Sequence, residues 1–576
     1  MKKKWGICAA AGVMTGLLQI LGIFLAGRDA GQAVGNMDFL LKAMLAGGLW
    51  AVGSGGFYAL AAWIGRKMFG KSAVQNPDAS STAFMGAGIW KNPFFYQLLI
   101  LLCWLPCYLA YFPAIYSYDG EPQLIQYTTG VFDNHHPLLH TLILGWCYDL
   151  GQFLQIKGIA LDGMAIYAFG QMLLLSGAFA YGIRFFLHRG CPRWSILLVT
   201  AWLGLFPVHP IMAVTTTKDT FFTVFLVTAL VMLLEILQEG KLLGKVHSIG
   251  FFLVLLNMML FRRNGFYMAA GMVLGEALAL CASLWRRRRS TEKYICQAAL
   301  NAVRSLYGPL LALTAGAVIA FGGCETGLLH LTGADPGEAA EALSVPLQQI
   351  ARTFKSNEAD MTEEELEAIY EYVPRDGLSN YRPFISDGVK MYFDNEKFGE
   401  EPTGFIQIWA KLFKRFPGSY VTAFLYNTMG SWYLDDVSHT QVYADWWRNR
   451  TGYMITDAIP VFALGHMKKE NLMPEVRSCY EAVATDCIHQ KCLITRVLFS
   501  PAFYCLSTVY LGLALLVSGR KRYLIPYTAL LVYLVTVIAG PCILVRYIYP
   551  FMAAAPWMAA MLFLPLSPKS AGRRKN

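Results

Sequence analysis

Charge is what this chain has least of. Asp, Glu, Lys and Arg supply 15% of its 576 residues, against about a quarter in ordinary soluble domains. With 56% apolar residues and a mean hydropathy of +0.42, the composition excludes a solvated or disordered chain and leaves a membrane protein. Short alternating strands are missing, which excludes a transmembrane β-barrel. The 13 cysteines form no CxxC pair and no zinc spacing, so neither a zinc module nor a dithiol redox motif is encoded. No EF-hand or other oxygen-rich metal loop is present, and there is no internal repeat or low-complexity tract. No A-x-A-like cleavage site ends the first apolar run. The basic start "MKKK" therefore reads as the cytoplasmic flank of a first span.

What is present is a series of apolar runs near the ~20 residues needed to cross a bilayer. Twelve spans are expected, at 6–26, 39–64, 95–113, 162–187, 194–209, 219–237, 247–262, 266–285, 303–322, 495–517, 523–540 and 547–566. The run 137–155 is ambiguous, and charge decides it. If it spans, Arg286 to Arg289, "SGRKR" (518–522) and the tail "GRRKN" all fall outside, against the positive-inside rule. If it lies flat on the membrane surface, all three fall inside. The flat reading predicts an all-α polytopic protein with both termini cytoplasmic. Its parts are two accessory spans and a linker (1–94), a transmembrane core (95–322) with a first outer loop (114–161), an extracytoplasmic domain of mixed or mainly helical structure (323–492), and three last spans with a basic tail (493–576). The net charge of +10 then reflects topology, not nucleic-acid binding.

Within 323–492, Thr362 and Glu365 have capping-box spacing. The aromatic piece 403–433, interrupted by Lys411, Lys414, Arg415 and Pro417, reads as an amphipathic membrane-surface element. Cys324, Cys479, Cys487 and Cys492 lie in or beside this segment. Outside the cytoplasm, both disulfides and free thiols are open to them.

The outer ends of the spans carry the chemistry. "YSYDGEPQ" follows span three, placing Asp119 and Glu121 beside Tyr118, Gln123 and Gln126. A carboxylate there can be a general base, a metal ligand, a helix cap or a plain solvated acid. "DNHHPLLH" offers His135 and His136 for proton shuttling, substrate contact or, less easily, metal ligation. Pro137 after them instead suggests that Asn134 or His136 caps the next helix. "TTTKDT" puts Lys218 and Asp219 at a helix start, where Asp219 suits the dipole and Lys218 suits a phosphate. Arg262 and Arg263 of "FRRNG", with Arg546 and Tyr547 of "VRYIYP", add outer-face cations that the positive-inside rule does not explain. Of these, Lys218, Arg263 and Arg546 are the expected anion ligands.

These motifs resemble the GT-C superfamily of membrane glycosyltransferases, which includes protein O-mannosyltransferases and aminoarabinose transferases. The phrases "YSYDGEPQ", "NHHPLLH", "TTTKDT", "FRRNG", "YNTMGSWY" and "VRYIYP" look most like a bacterial branch mostly without assigned functions. The resemblance covers roughly 95–566. It implies a GT-C-like bundle with an acid early in the first outer loop, here Asp119, as the catalytic residue and Glu121 second. It also implies a polyprenyl-phosphate sugar as donor, with the acceptor and any divalent metal left open. The chain departs from better-known members in having Asp-Gly-Glu instead of Asp-Glu, and one proline after the histidines. Two rivals remain: an outer-face polysaccharide ligase or polymerase, and a transporter or flippase of lipid-linked sugars. A transporter should carry mid-bilayer charges, and Glu235 and Glu276 are not joined by a chain of them. Reporter fusions or cysteine labelling should place positions 155 and 400 outside and 288 and 574 inside. Finding 155 and 288 on one side would overturn the flat placement of 137–155.

Overall fold

The computed structural model describes residues 2–29, 34–69, 88–117, 119–289, 292–335, 337–434, 471–484 and 488–564. Tyr118, Cys487, the linker after residue 69 and the C-terminal tail lie outside them. Among the described residues there is no strand, only isolated bridges such as Ile115–Thr215 and Asp133–Asp335.

The helices follow the apolar runs. They are α1 (Lys2–Asp29), α2 (Met37–Phe69), α3 (Pro93–Ala110), α4 (Gly120–Thr129), α5 (Leu138–Ile156), α6 (Gly163–His188), α7 (Arg193–Leu205), α8 (Val208–Val214), α9 (Lys218–Glu239), α10 (Lys245–Phe261), α11 (Asn264–Arg289), α12 (Lys293–Ala302) and α13 (Gly308–Thr332). A second series comprises α14 (Ser344–Asn357), α15 (Glu363–Tyr370), α16 (Pro402–Arg415), α17 (Pro417–Thr428), α18 (Pro474–Ala484), α19 (Leu493–Phe499), α20 (Pro501–Val517), α21 (Leu524–Ile538) and α22 (Val545–Phe563). Among the described residues, eight helices or helix runs are long and apolar enough to cross a membrane, and up to ten are if the bent pairs α7–α8 and α19–α20 each count as one span. The bends, 52° and 71°, fall at Pro207 and Pro501, where the proline ring opposes continuation of the preceding helix. The amphipathic α5 is not among these spans.

Local chemistry sets the helix starts. Asn92 and Asp162 accept from the N–H of Phe94 and Met164 and cap α3 and α6. The capping box of Thr362 and Glu365 opens α15. α5 begins differently from the expectation: Pro137 occupies the cap position and no side chain caps the helix. A continuous helical run joins α12 through a π-turn to α13 and reaches Thr332. The expected domain boundary at 322/323 thus falls inside a helix.

The transmembrane core is centred on α9, whose residues are mostly buried and which packs on α6, α10 and α22. Trp557 of α22 stacks on Phe186 at an interplanar angle of 5° and donates from Nε1 to the Gly182 carbonyl at 3.2 Å. Helices α14 to α17 enclose a separate small core of Leu347, Ile350, Tyr372, Phe405 and Leu412. In it Lys411 and Arg415 pair with the buried Glu365. This helical unit is fastened to the core on two sides, by Asn134 N–H to the Asp335 carbonyl at 2.9 Å and by Ser386 N–H to the Pro541 carbonyl at 3.0 Å.

A Cβ on Gly182 would overlap the Trp557 ring. Gly182→Val should therefore cost about 1–3 kcal/mol by overpacking, read as a lower melting temperature in detergent. An unchanged melting temperature would show that this contact does not limit stability.

Candidate functional site

Three polar chain segments converge at one end of the bundle. The stretch before α4 pairs with the stretch before α9. Ile115 N–H donates to the Val214 carbonyl at 2.9 Å, and Thr216 N–H donates to the Ile115 carbonyl at 2.8 Å. Ser117 Oγ closes the ladder on the Thr216 carbonyl. Each of the first three threonines of "TTTKDT" has its own task. Thr215 Oγ1 donates to the Ile211 carbonyl at 2.7 Å, Thr216 Oγ1 accepts from Ser117 N–H at 3.1 Å, and Thr217 caps α9. Gly120 has room for hydrogen alone, because a Cβ would sit 2.9 Å from Thr216 Oγ1. This contact accounts for the glycine between Asp119 and Glu121. The pairing brings Asp119 beside Lys218, and the start of α22 brings Arg546.

Asp119 Oδ2 accepts from Arg546 Nη1 at 2.9 Å and lies 3.2 Å from Lys218 Nζ. Lys218 Nζ also donates to His136 Nδ1 at 2.8 Å. Asp219, fully buried, pairs with Arg262 and lies 4.0 Å from Arg546. Arg262 rests over the Tyr547 ring at 4.7 Å, and Tyr547 Oη accepts from Arg546 Nη2 at 3.0 Å. Burial by itself would raise the Asp119 carboxyl, but Arg546 and Lys218 outweigh it and hold it well below the usual carboxylate range. His136 is pushed down to about 2 by burial and by Lys218, so its ring is neutral and Nδ1 is free to accept from the lysine.

This network is the floor of a cavity of about 930 Å³, within the usual range of ligand sites. Its walls are apolar: Met259 and Leu260 of α10, Tyr267 of α11, Phe321 and Leu328 of α13, and Val537 of α21. Its roof is the small helical unit and the segment leading into it, through Glu338, Glu341, Ile385, Asp387 and Lys390. Lys390 pairs with Glu341 at 2.8 Å and Asp387 at 2.9 Å, and His135 faces Glu341 at 3.4 Å.

The structure thus gathers Asp119, His135, His136, Lys218, Arg263, Arg546 and Tyr547 around one cavity, with Asp219 beneath it. Two residues depart from the expectation. Glu121 is on the first turn of α4 and does not line the cavity, because one helical step turns it away from Asp119. Gln123 is buried and bonds Thr141 at 3.0 Å and His140 at 3.0 Å, fixing α4 to α5. Tyr118 lies outside the described residues. His136 holds Lys218 instead of capping α5. Arg263 is half exposed and faces Glu325 at 3.5 Å. The anchoring arginine of that turn is its neighbour Arg262, which sequence position alone could not distinguish.

No cluster of three or more His, Cys, Asp or Glu with metal-binding geometry occurs among the described residues. The floor is also a poor fit for a divalent ion, since Asp119 is already neutralised by two cations within 3.2 Å that would repel one.

Arg262→Gln should destabilise the protein by about 3–5 kcal/mol, since it strands the buried Asp219. Arg263→Gln, at a half-exposed pair, should change stability by less than about 1 kcal/mol. Melting curves of the two variants in one detergent check the contrast, and equal losses would refute it.

A family model described as a family of unknown function (DUF6020) matches residues 124–575, from within α4 to the tail. No curated protein and no solved structure matches the chain.

Proposed function

The chain belongs to this DUF6020 family of unknown function, and from that premise we propose that it is a GT-C-type membrane glycosyltransferase. It moves a sugar from a polyprenyl-phosphate donor to an acceptor at the extracytoplasmic face. One observation carries the reading. A single cavity joins apolar walls from four membrane-class helices to a floor holding Lys218, Arg262 and Arg546. A lipid phosphate asks for that combination: hydrocarbon surface for the tail and cations for the head.

The finer topology supports the same reading. Eight spans, the two bent pairs, the apolar α10 and the 19-residue α22 bring the count to twelve. Arg286 to Arg289 close α11 at the end opposite Asn264, which lines the cavity. By the positive-inside rule the arginines are cytoplasmic and the cavity opens outward. α5 then lies along the outer surface, and both termini are cytoplasmic.

In the proposed reaction the acceptor, a hydroxyl or amine, attacks the anomeric carbon of the donor sugar. The bond from that carbon to the phosphate oxygen breaks, and the phosphate leaves with the electron pair. The proton of the acceptor passes to Asp119 Oδ, the acid that lines the cavity beside Lys218 and Arg546. Lys218 and Arg546 stabilise the charge that grows on the leaving phosphate. His136, neutral and bonded to Lys218, holds that amine in place. No metal-bound species enters this sequence. The transporter reading has one observation in its favour, Glu276, which is fully buried in α11 and accepts from Thr314 at 3.1 Å. No second acid on the described part of α11 extends it into a path.

Asp119→Asn should leave expression intact and lower transfer by ~10²–10⁴-fold. Arg546→Gln should weaken binding of a polyprenyl phosphate by roughly ten- to hundred-fold, because a charge-assisted bond to phosphate contributes ~1.5–3 kcal/mol. Lipid binding unchanged in Arg546→Gln would remove the phosphate role and favour the ligase and transporter readings.

A further inference from the structure

The floor of the cavity already contains an anion. Lys218 and Arg546, the two cations best placed for a phosphate, both lie on Asp119 Oδ2, at 3.2 and 2.9 Å. Asp219 does not relieve them, because it is held by Arg262 and stands 4.0 Å from Arg546. Lys218 has its remaining polar contact in the neutral His136, at 2.8 Å. The two cation side chains are only 14% and 8% exposed, so water screens the cluster weakly. Carboxylate and phosphate oxygens make the same demands on arginine and lysine. Two such anions within contact distance of each other repel.

We infer that Asp119 occupies the phosphate seat of the resting site, and that a phosphate-bearing ligand must draw Arg546 and Lys218 away from it before Asp119 can serve as a base. The inference rests on the proposed polyprenyl-phosphate reading and adds an order to it: donor first, acceptor activation second. A carboxylate clamped by two cations is a weak proton acceptor, so an acceptor or water that enters alone is not activated.

Charge balance runs in the same direction. Three cations against Asp119 and Asp219 leave one positive charge in the resting floor. A glycosyl phosphodiester donor brings one negative charge and neutralises it. During transfer the departing phosphate gains a second negative charge while Asp119 takes the acceptor proton and loses its own. The floor is neutral before and after, and the cations pass from carboxylate to phosphate as the proton passes from acceptor to carboxylate. Neutrality matters here because an uncompensated charge in a poorly solvated site is costly.

The test uses the full chain in detergent and a polyprenyl phosphate as probe, with the matching polyprenol as control. The competing anion is removed in Asp119→Asn, which should bind the phosphate at least about tenfold more tightly than wild type. Its melting temperature should fall without the probe and rise further than wild type when the probe is added. Asp119→Glu, which keeps the charge, should stay near wild-type affinity. Should Asp119→Asn fold poorly, the comparison moves to a Lys218→Gln background, where the charge is closer to balance. Adding Asp119→Asn there should again tighten binding. Binding that is equal or weaker in both settings, with wild type still preferring phosphate to polyprenol, overturns the competition and leaves the proposed function standing. No preference for phosphate in wild type overturns both.

Discussion

A carboxylate between two cations holds the cavity end of this helical bundle together. Asp119 follows α3, Lys218 opens α9 and Arg546 opens α22, with the first and the last 427 positions apart. Each belongs to a different helix start, and in isolation each would be a costly charge at a poorly hydrated helix end. Together they fix the relative depth of α9 and α22 against the first loop. The backbone ladder between Ile115 and Thr216 supplies the rigidity, so the ion cluster is positioned by main-chain bonds and not by flexible side chains alone.

The second buried pair, Asp219 with Arg262, extends this arrangement to the α10–α11 turn. Arg262 has an extended backbone, with φ of −160°, which sends its side chain inward over Tyr547 while Arg263 stays half exposed. The walls and the roof have separate origins. Helices α10, α11, α13 and α21 provide the hydrocarbon side, and the small helical unit provides an acid-rich cover. Because that unit is tied down both at Asp335 and at Pro541, the cover of the cavity is held at two fixed points. A polar floor, an apolar flank and a carboxylate-bearing cover make a site with a direction, which a ligand with a charged centre and a hydrocarbon end would fill in one orientation.

The sequence by itself determined the membrane class, the helical character and most span positions, because a bilayer demands long apolar runs with internally satisfied backbones. It also marked Asp119, Lys218 and Arg546, since a charge at the end of a span stands out against apolar surroundings. It located α5 and the capping box of α15 for the same reason: both are local patterns, readable within one or two helical turns. Tertiary structure alone decided the rest. Whether Arg262 or Arg263 turns inward depends on a loop conformation, and the two are identical in composition and neighbours in sequence. The linear motif ranks Glu121 second to Asp119 and sets Gln123 in the same site, yet the first turn of α4 points one aside and packs the other against His140. Glu341 and Lys390 carried no signal at all, because their place above the site is set by how a separate core docks on the membrane helices. Contacts of that kind join residues hundreds of positions apart, and only the packed fold brings them within bonding distance.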